Sequence, residues 1–141
     1  MKAPAVSPAK TWHWQVPGLA EALPDAGAHV AEACRIAGLD PTACQHAMFC
    51  TVEALNNALT HAHRGAASLY IDLHVEAVDD QLVIEVVDRG SGDWRPAQEP
   101  PPPSADPGGR GWFIISSWMD EASYGRGADG NVLTMVKYLS V

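Results

Sequence analysis

Ala67 to Val78 alternates without interruption: Leu69, Ile71, Leu73, Val75 and Ala77 fall on one side, and Tyr70, Asp72, His74 and Glu76 on the other. A period of two predicts a half-buried strand. Asp79-Asp80 forms a turn and Gln81 to Val87 a second strand, so the pair makes a hairpin. Upstream the period changes. Ala47, Met48, Thr51, Val52, Leu55, Ala58, Leu59 and Ala62 recur at three and four, the buried stripe of an amphipathic helix that runs to about His61. Asp40-Pro41 opens that helix, Asp as the N-cap and Pro at the first position, where its missing N–H is no loss. Leu19 to Ala37 is Ala-rich and helical in composition, with Pro24-Asp25 as an interruption and Gly38 placed as a C-cap. Thr11 to Val16 makes a short strand ended by Pro17 and Gly18, Trp112 to Asp120 a helix, and Asn131 to Leu139 a last strand.

The order β-α-α-β-β-loop-α-β-β predicts an α+β fold, a two-layer α/β sandwich with a mostly antiparallel mixed sheet and helices on one face. A chain of 141 residues is one ordinary domain, 1–141, able to bury a core without disulfide or metal staples. Residues 1–10 are expected to form a disordered tail. No apolar run approaches the roughly 18 residues of a membrane span, and the first ten residues carry no apolar signal segment. The expectation is therefore a cytoplasmic protein. Cys34, Cys44 and Cys50 lack metal or redox spacing and fit the role of buried small hydrophobes. The net charge of −8 opposes phosphate backbones and argues against a nucleic-acid binder. That charge is uneven. Thr11 to Asp88 holds eleven acidic residues against Arg35 and Arg64, whereas Arg89 to Val141 holds five basic against six acidic, so an anionic ligand belongs with the second part.

Three constellations carry candidate chemistry. Glu53, Asn57 and His61 lie at i, i+4 and i+8 on the long helix, a polar line beside the apolar stripe. A carboxylate can act there as a base and an amide as an oxygen ligand for a hard cation such as Mg²⁺, although a solvated helix face has the same spacing. Asp88-Arg89-Gly90-Ser91-Gly92 directly follows an apolar strand. Its Asp can accept from an exocyclic amine and its glycines let backbone approach a flat ring, yet taken alone a plain turn explains it equally well. Gly108-Gly109-Arg110-Gly111 opens the last helix, where free N–H groups at the positive end of the dipole suit phosphate. The segment before it, with Pro100 to Pro103 consecutive, is a long irregular stretch of the functional or disordered kind. Neither a P-loop nor a strand-linked GxGxxG is present.

Glu53-Ala54-Leu55-Asn56-Asn57-Ala58-Leu59-Thr60-His61-Ala62 resembles the N box of the GHKL (Bergerat-fold, histidine-kinase-like) ATPases, and above all of their anti-sigma serine kinases, with the pattern E-A-x-x-N-A-x-x-H-A. Val87 to Gly92 resembles their D-x-G-x-G box, and Gly108 to Tyr124 their glycine-rich segment and following helix. The boxes stand in family order, and the resemblance covers about residues 10–139. It implies that Glu53 is the general base for an acceptor serine and Asn57 the Mg²⁺ ligand, with His61 in an orienting role in the nucleotide site. Asp88 would bind the adenine amino group in a pocket shaped by Gly90 and Gly92. Gly108, Gly109 and Gly111 would wrap the phosphates of ATP with Arg110 as a charge partner, Thr134 would help hold the adenine, and 93–107 would be the ATP lid. Implied partners are a sigma factor, a STAS-type antagonist whose serine is phosphorylated, and a second copy in a homodimer. The lid departs from the family in Asp93-Trp94-Arg95-Pro96 and in its proline run, which favours stiff polyproline II. The alternative to a kinase is accordingly a nucleotide-dependent binding module that transfers no phosphate.

Overall fold

The computed structural model describes residues 10–62, 69–90, 111–127 and 130–139, with the side chains of 61 and 62 left outside. Five strands form one sheet: β1 (Lys10–Pro17), β2 (Tyr70–Val78), β3 (Gln81–Val87), β4 (Glu121–Arg126) and β5 (Asn131–Tyr138). Their spatial order is β1-β2-β3-β5-β4, and all four pairings are antiparallel, so within the expected α+β sandwich no parallel pair occurs among the described residues. Among the described residues three helices, α1 (Leu23–Ala37), α2 (Pro41–Asn57) and α3 (Gly111–Trp118), cover one face. Lys10, expected in the tail, belongs to β1, and residues 1–9 lie outside the described residues.

The alternation seen in the sequence decides which face is covered. Ile71, Leu73, Val75, Leu82, Ile84, Val86, Leu133 and Met135 point inward and are buried with Val30, Cys34, Ala47, Cys50, Leu55 and Ile115. The opposite face of the central strands, carrying His74, Glu76, Glu85 and Thr134, has no helix against it among the described residues.

α3 runs from Gly111 to Trp118 rather than over the expected Trp112 to Asp120, and two other helix boundaries differ from the expectation for physical reasons. Residues 20–22 form a 3₁₀ turn and α1 starts at Leu23, because Pro24 is accommodated only in a first turn, where no N–H is needed. α2 ends as a regular helix at Asn57, and residues Ala58–Ala62 continue as a π-helical turn. Its opening is as expected: the Asp40 carboxylate accepts from Ala43 N at 2.8 Å, with Pro41 next. Gly38 caps α1 at φ 99°, a left-handed position that favours glycine.

The buried face of α2 is also broader than the predicted stripe. Ala47, Thr51, Leu55 and Ala58 are buried together with Ala43, Cys50 and Ala54. Met48 and Val52 turn sideways onto α1, where a Cβ added at Gly27 would stand 2.7 Å from Val52 Cγ2.

Candidate active site

α2 supplies the first wall. One helical turn separates Glu53 from Asn57; Asn57 is buried and Glu53 half-buried. Both face the first residue of α3, Gly111, which is buried against them. A Cβ built on Gly111 would lie 2.6 Å from Glu53 Oε2 and 3.6 Å from Asn57 Nδ2, so any side chain here would push the carboxylate from its place. The glycine therefore lets the start of α3, with its free N–H groups, close on the carboxylate–amide pair.

The second wall is the end of β3. Asp88 continues the ladder through its N–H to Asn131 O at 3.0 Å and is 5% exposed. Its Oδ1 accepts from Gly90 N at 3.0 Å, from Asn131 N at 3.1 Å and from Asn131 Nδ2 at 3.3 Å. Oδ2 meets only Asn131 Nδ2, at 3.3 Å, among the hydrogen bonds of the described residues. The carboxylate is thus fixed on one oxygen and keeps acceptor capacity on the other. Asn131 is steadied in turn by Arg126, whose Nη1 donates to its Oδ1 at 3.4 Å. Gly130 permits this arrangement, since a Cβ there would collide with the Asp88 carbonyl oxygen. Between the walls runs a narrow cleft lined by Ala54, Asn57, Ala58, Val86, Asp88, Tyr124 and Leu133. It is a narrow, mostly apolar slot that also carries the Asp88 carboxylate and the Asn57 amide.

The fold brings Glu53, Asn57, Asp88, Gly90 and Gly111 to this region. Gly92, Gly108, Gly109, Arg110 and the expected lid 93–107 lie outside the described residues, as does the side chain of His61. Thr134 is corrected. It pairs with Glu85 and with Ser123, out of phase with inward-facing Leu133 and Met135, and so lies on the sheet face opposite the cleft. Asn131 occupies the place given to it. Sequence reasoning passed over Asn131, although the alternation of β5 carried the signal: with Leu133 and Met135 inward, residue 131 is inward and 134 is not. Arg89, next to the aspartate, turns away and pairs with Asp72 at 2.6 Å.

Residues 16–137 match the family model described as the histidine kinase-like ATPase domain. The anti-sigma F factor of Pasteuria penetrans is 33% identical over 124 residues, 82% of this chain and 83% of the relative. That of Clostridium botulinum (strain Eklund 17B / Type B) is 32% identical over 103 residues, 68% and 72% of the two chains. Among solved structures, the RsbU and RsbW domains of Rv1364c from Mycobacterium tuberculosis superpose with a TM-score of 0.69 at 19% identity, over 92% of this chain and 32% of that one. The histidine kinase domain of the Erythrobacter litoralis EL346 blue-light activated kinase gives 0.55 at 20%, over 87% and 61%. At such identities these two likenesses speak for the fold.

Proposed function

Because the chain belongs to the histidine kinase-like ATPase domain family, in the branch that holds the anti-sigma F factors, we propose that it is an ATP-dependent protein-serine kinase and anti-sigma factor. It phosphorylates a serine of a STAS-type antagonist and, in the alternative arm of a partner switch, holds a sigma factor. The observation that carries the reading is the meeting of Glu53 and Asn57 with buried Gly111 on one side of a cleft, and Asp88 on the other.

In this reading each residue has a defined task. Asp88 accepts a hydrogen bond from an adenine amino group through its less occupied oxygen, with Asn131 holding the carboxylate in place. The N-terminus of α3 meets the phosphates with backbone N–H groups and the positive end of its dipole. Asn57 offers an amide oxygen to Mg²⁺. An ion that binds through one or two protein groups plus phosphates and water needs no more from the chain. When bound, Mg²⁺ neutralises phosphate charge during transfer. Glu53 takes the proton of the acceptor serine as its oxygen bonds to the γ-phosphorus and the bond to the β-phosphate oxygen breaks, releasing ADP.

The assembly we propose is a homodimer in the cytoplasm. β1 stands at the edge of the sheet with Trp12 and Trp14 partly buried, which leaves a strand edge for a second copy. Light scattering at tens of micromolar, giving twice 15.0 kDa, is the expected result. Incubation with ATP·Mg²⁺ and candidate STAS-domain proteins tests the function. Intact-mass analysis should find one added phosphate on the acceptor. Tight ATP binding with no transfer to any of them would leave the protein as a nucleotide-dependent binding module.

A further inference from the structure

α2 and α3 present an outward face of unusual chemistry. α3 runs back along α2: its first residue, Gly111, lies against Glu53, and its last, Trp118, stacks on His46 with ring centroids 4.6 Å apart and tilts against Phe49 at 5.1 Å. At 3.6 residues per turn, His46, Phe49, Glu53 and Asn56 fall within an arc of about 80°. Phe49 keeps 41% of its surface exposed and Trp118 37%. Lys137 Nζ donates to the Trp118 carbonyl at 2.7 Å and anchors that end of α3.

Across the 17 residues of α2 and the 8 of α3, Glu53 is the single Asp, Glu, Lys or Arg, whereas such residues make up 18% of the chain. Helix faces turned to water are ordinarily rich in charge. The centres of protein interfaces are depleted of it and enriched in aromatics.

We propose that His46, Phe49 and Trp118 form the docking surface for the phosphoacceptor protein, gripping an apolar side chain of that partner while its serine reaches Glu53. The inference rests on the kinase reading above. Continuity with the reacting carboxylate singles out the acceptor as the occupant. Phe49 and His46 precede Glu53 by about 6 and 10 Å along the helix at 1.5 Å per residue. An extended segment covers those distances in roughly two to three residues. An acceptor with its serine at Glu53 therefore places an apolar residue two or three positions away on the aromatic group. Glu53 and the net charge of −8 select against acidic residues beside that serine. A second copy of the chain seated on the same face would cover the approach to Glu53 and close the site to a protein substrate.

The test compares the parental protein with Phe49→Gln, Trp118→Gln and the conservative Phe49→Tyr. Phe49 is exposed and glutamine is a good helix former, so Phe49→Gln stays folded even where loss of the Trp118 ring loosens α3. Steady-state phosphorylation of a STAS-domain acceptor is measured alongside ATP affinity and light scattering. Phe49→Gln should raise the acceptor KM at least about tenfold, the effect of truncating an interface anchor. Its kcat at saturation, ATP affinity and oligomeric state should stay parental, and Phe49→Tyr should retain most of the affinity. An unchanged KM overturns the proposal. A selective loss of ATP affinity would instead assign the face to the nucleotide site, and dissociation of a dimer would assign it to a second copy; either outcome also overturns it. If the parental protein binds a STAS-domain protein and transfers no phosphate, the kinase reading falls alone, and the same variants judge the docking surface by calorimetric affinity for that protein. If no STAS-domain protein binds at all, both fall.

Discussion

Gly111→Ala should separate stability from chemistry. The added Cβ would stand 2.6 Å from Glu53 Oε2, where ordinary contact begins at 3.4 Å, so the carboxylate must retreat by nearly an ångström. It can do so, since it is the end of a flexible, half-buried side chain. An off-rotamer shift of that kind costs on the order of 0.5–1.5 kcal/mol. Replacing glycine by alanine at a compatible backbone position returns about 0.4–1 kcal/mol. The two nearly cancel, and the melting temperature should move by no more than about 3 °C. Asn57 Nδ2, 3.6 Å from the new methyl, remains in ordinary contact, so ATP affinity should change little. Transfer should not escape, because a displacement of about 1 Å in a reacting group can cost roughly 10²-fold.

Single-turnover phosphorylation followed by intact mass measures that loss, with calorimetry for ATP and a thermal melt as controls. Glu53→Asp supplies the internal check. Its carboxylate is withdrawn by one methylene and no longer meets the new methyl, so Gly111→Ala on that background should add little further loss. Parental transfer by folded, ATP-binding Gly111→Ala protein would refute the reasoning, because Glu53 would then not need the position it holds against α3.

Glu53→Ala should keep ATP affinity and lose about 10²–10⁴-fold in transfer, whereas Asn57→Ala should weaken both Mg²⁺-nucleotide binding and transfer; equal behaviour of the two would undo the division of roles. Asp88→Asn should weaken ATP binding by about 1–3 kcal/mol and Asn131→Ala by about 1 kcal/mol as the carboxylate loses its anchor, both read by calorimetry, and equal affinity for GTP and ATP would sink the adenine assignment. Burial pushes the thiols of Cys34 and Cys50 from an ordinary value near 9.0 up to about 12. Their contribution to stability is therefore complete below pH 9 and lost as pH rises toward 12, at about 1.4 kcal/mol per unit for each thiol. Urea melts at pH 8 and 10 should show that slope and its flattening in Cys34→Ala/Cys50→Ala, and an identical slope in both proteins would contradict it.

Much of the fold was legible because the layers are simple. A half-buried antiparallel strand writes its inner face as every second residue, and β2 shows Ile71, Leu73 and Val75 buried in that order. The N-cap Asp40 with Pro41 and the left-handed Gly38 mark helix ends by local chemistry alone. The sheet order could not be read this way. β4 and β5 follow each other in the chain, yet β5 inserts beside β3 and pushes β4 to the edge, a choice made by packing across the whole sheet. The end of α2 was equally hidden, because the π turn at Ala58–Ala62 depends on what surrounds that backbone and no residue in it forbids an α-helix.

The site was legible where one element carries a whole function and opaque where two must meet. Glu53 and Asn57 share a helix, so their spacing of four already placed them together. Asp88 and its anchor come from strands 43 residues apart in the chain. The link between them is the β3–β5 register, Val87 opposite Val132, which brings Asn131 level with Asp88. Thr134 suited the role by residue type, but its phase along β5 points it to the other face. Phase is the stronger signal: a hydroxyl on the wrong side of a sheet is separated from its target by the sheet backbone itself. An amide in phase needs only the bare backbone of Gly130 to reach the carboxylate.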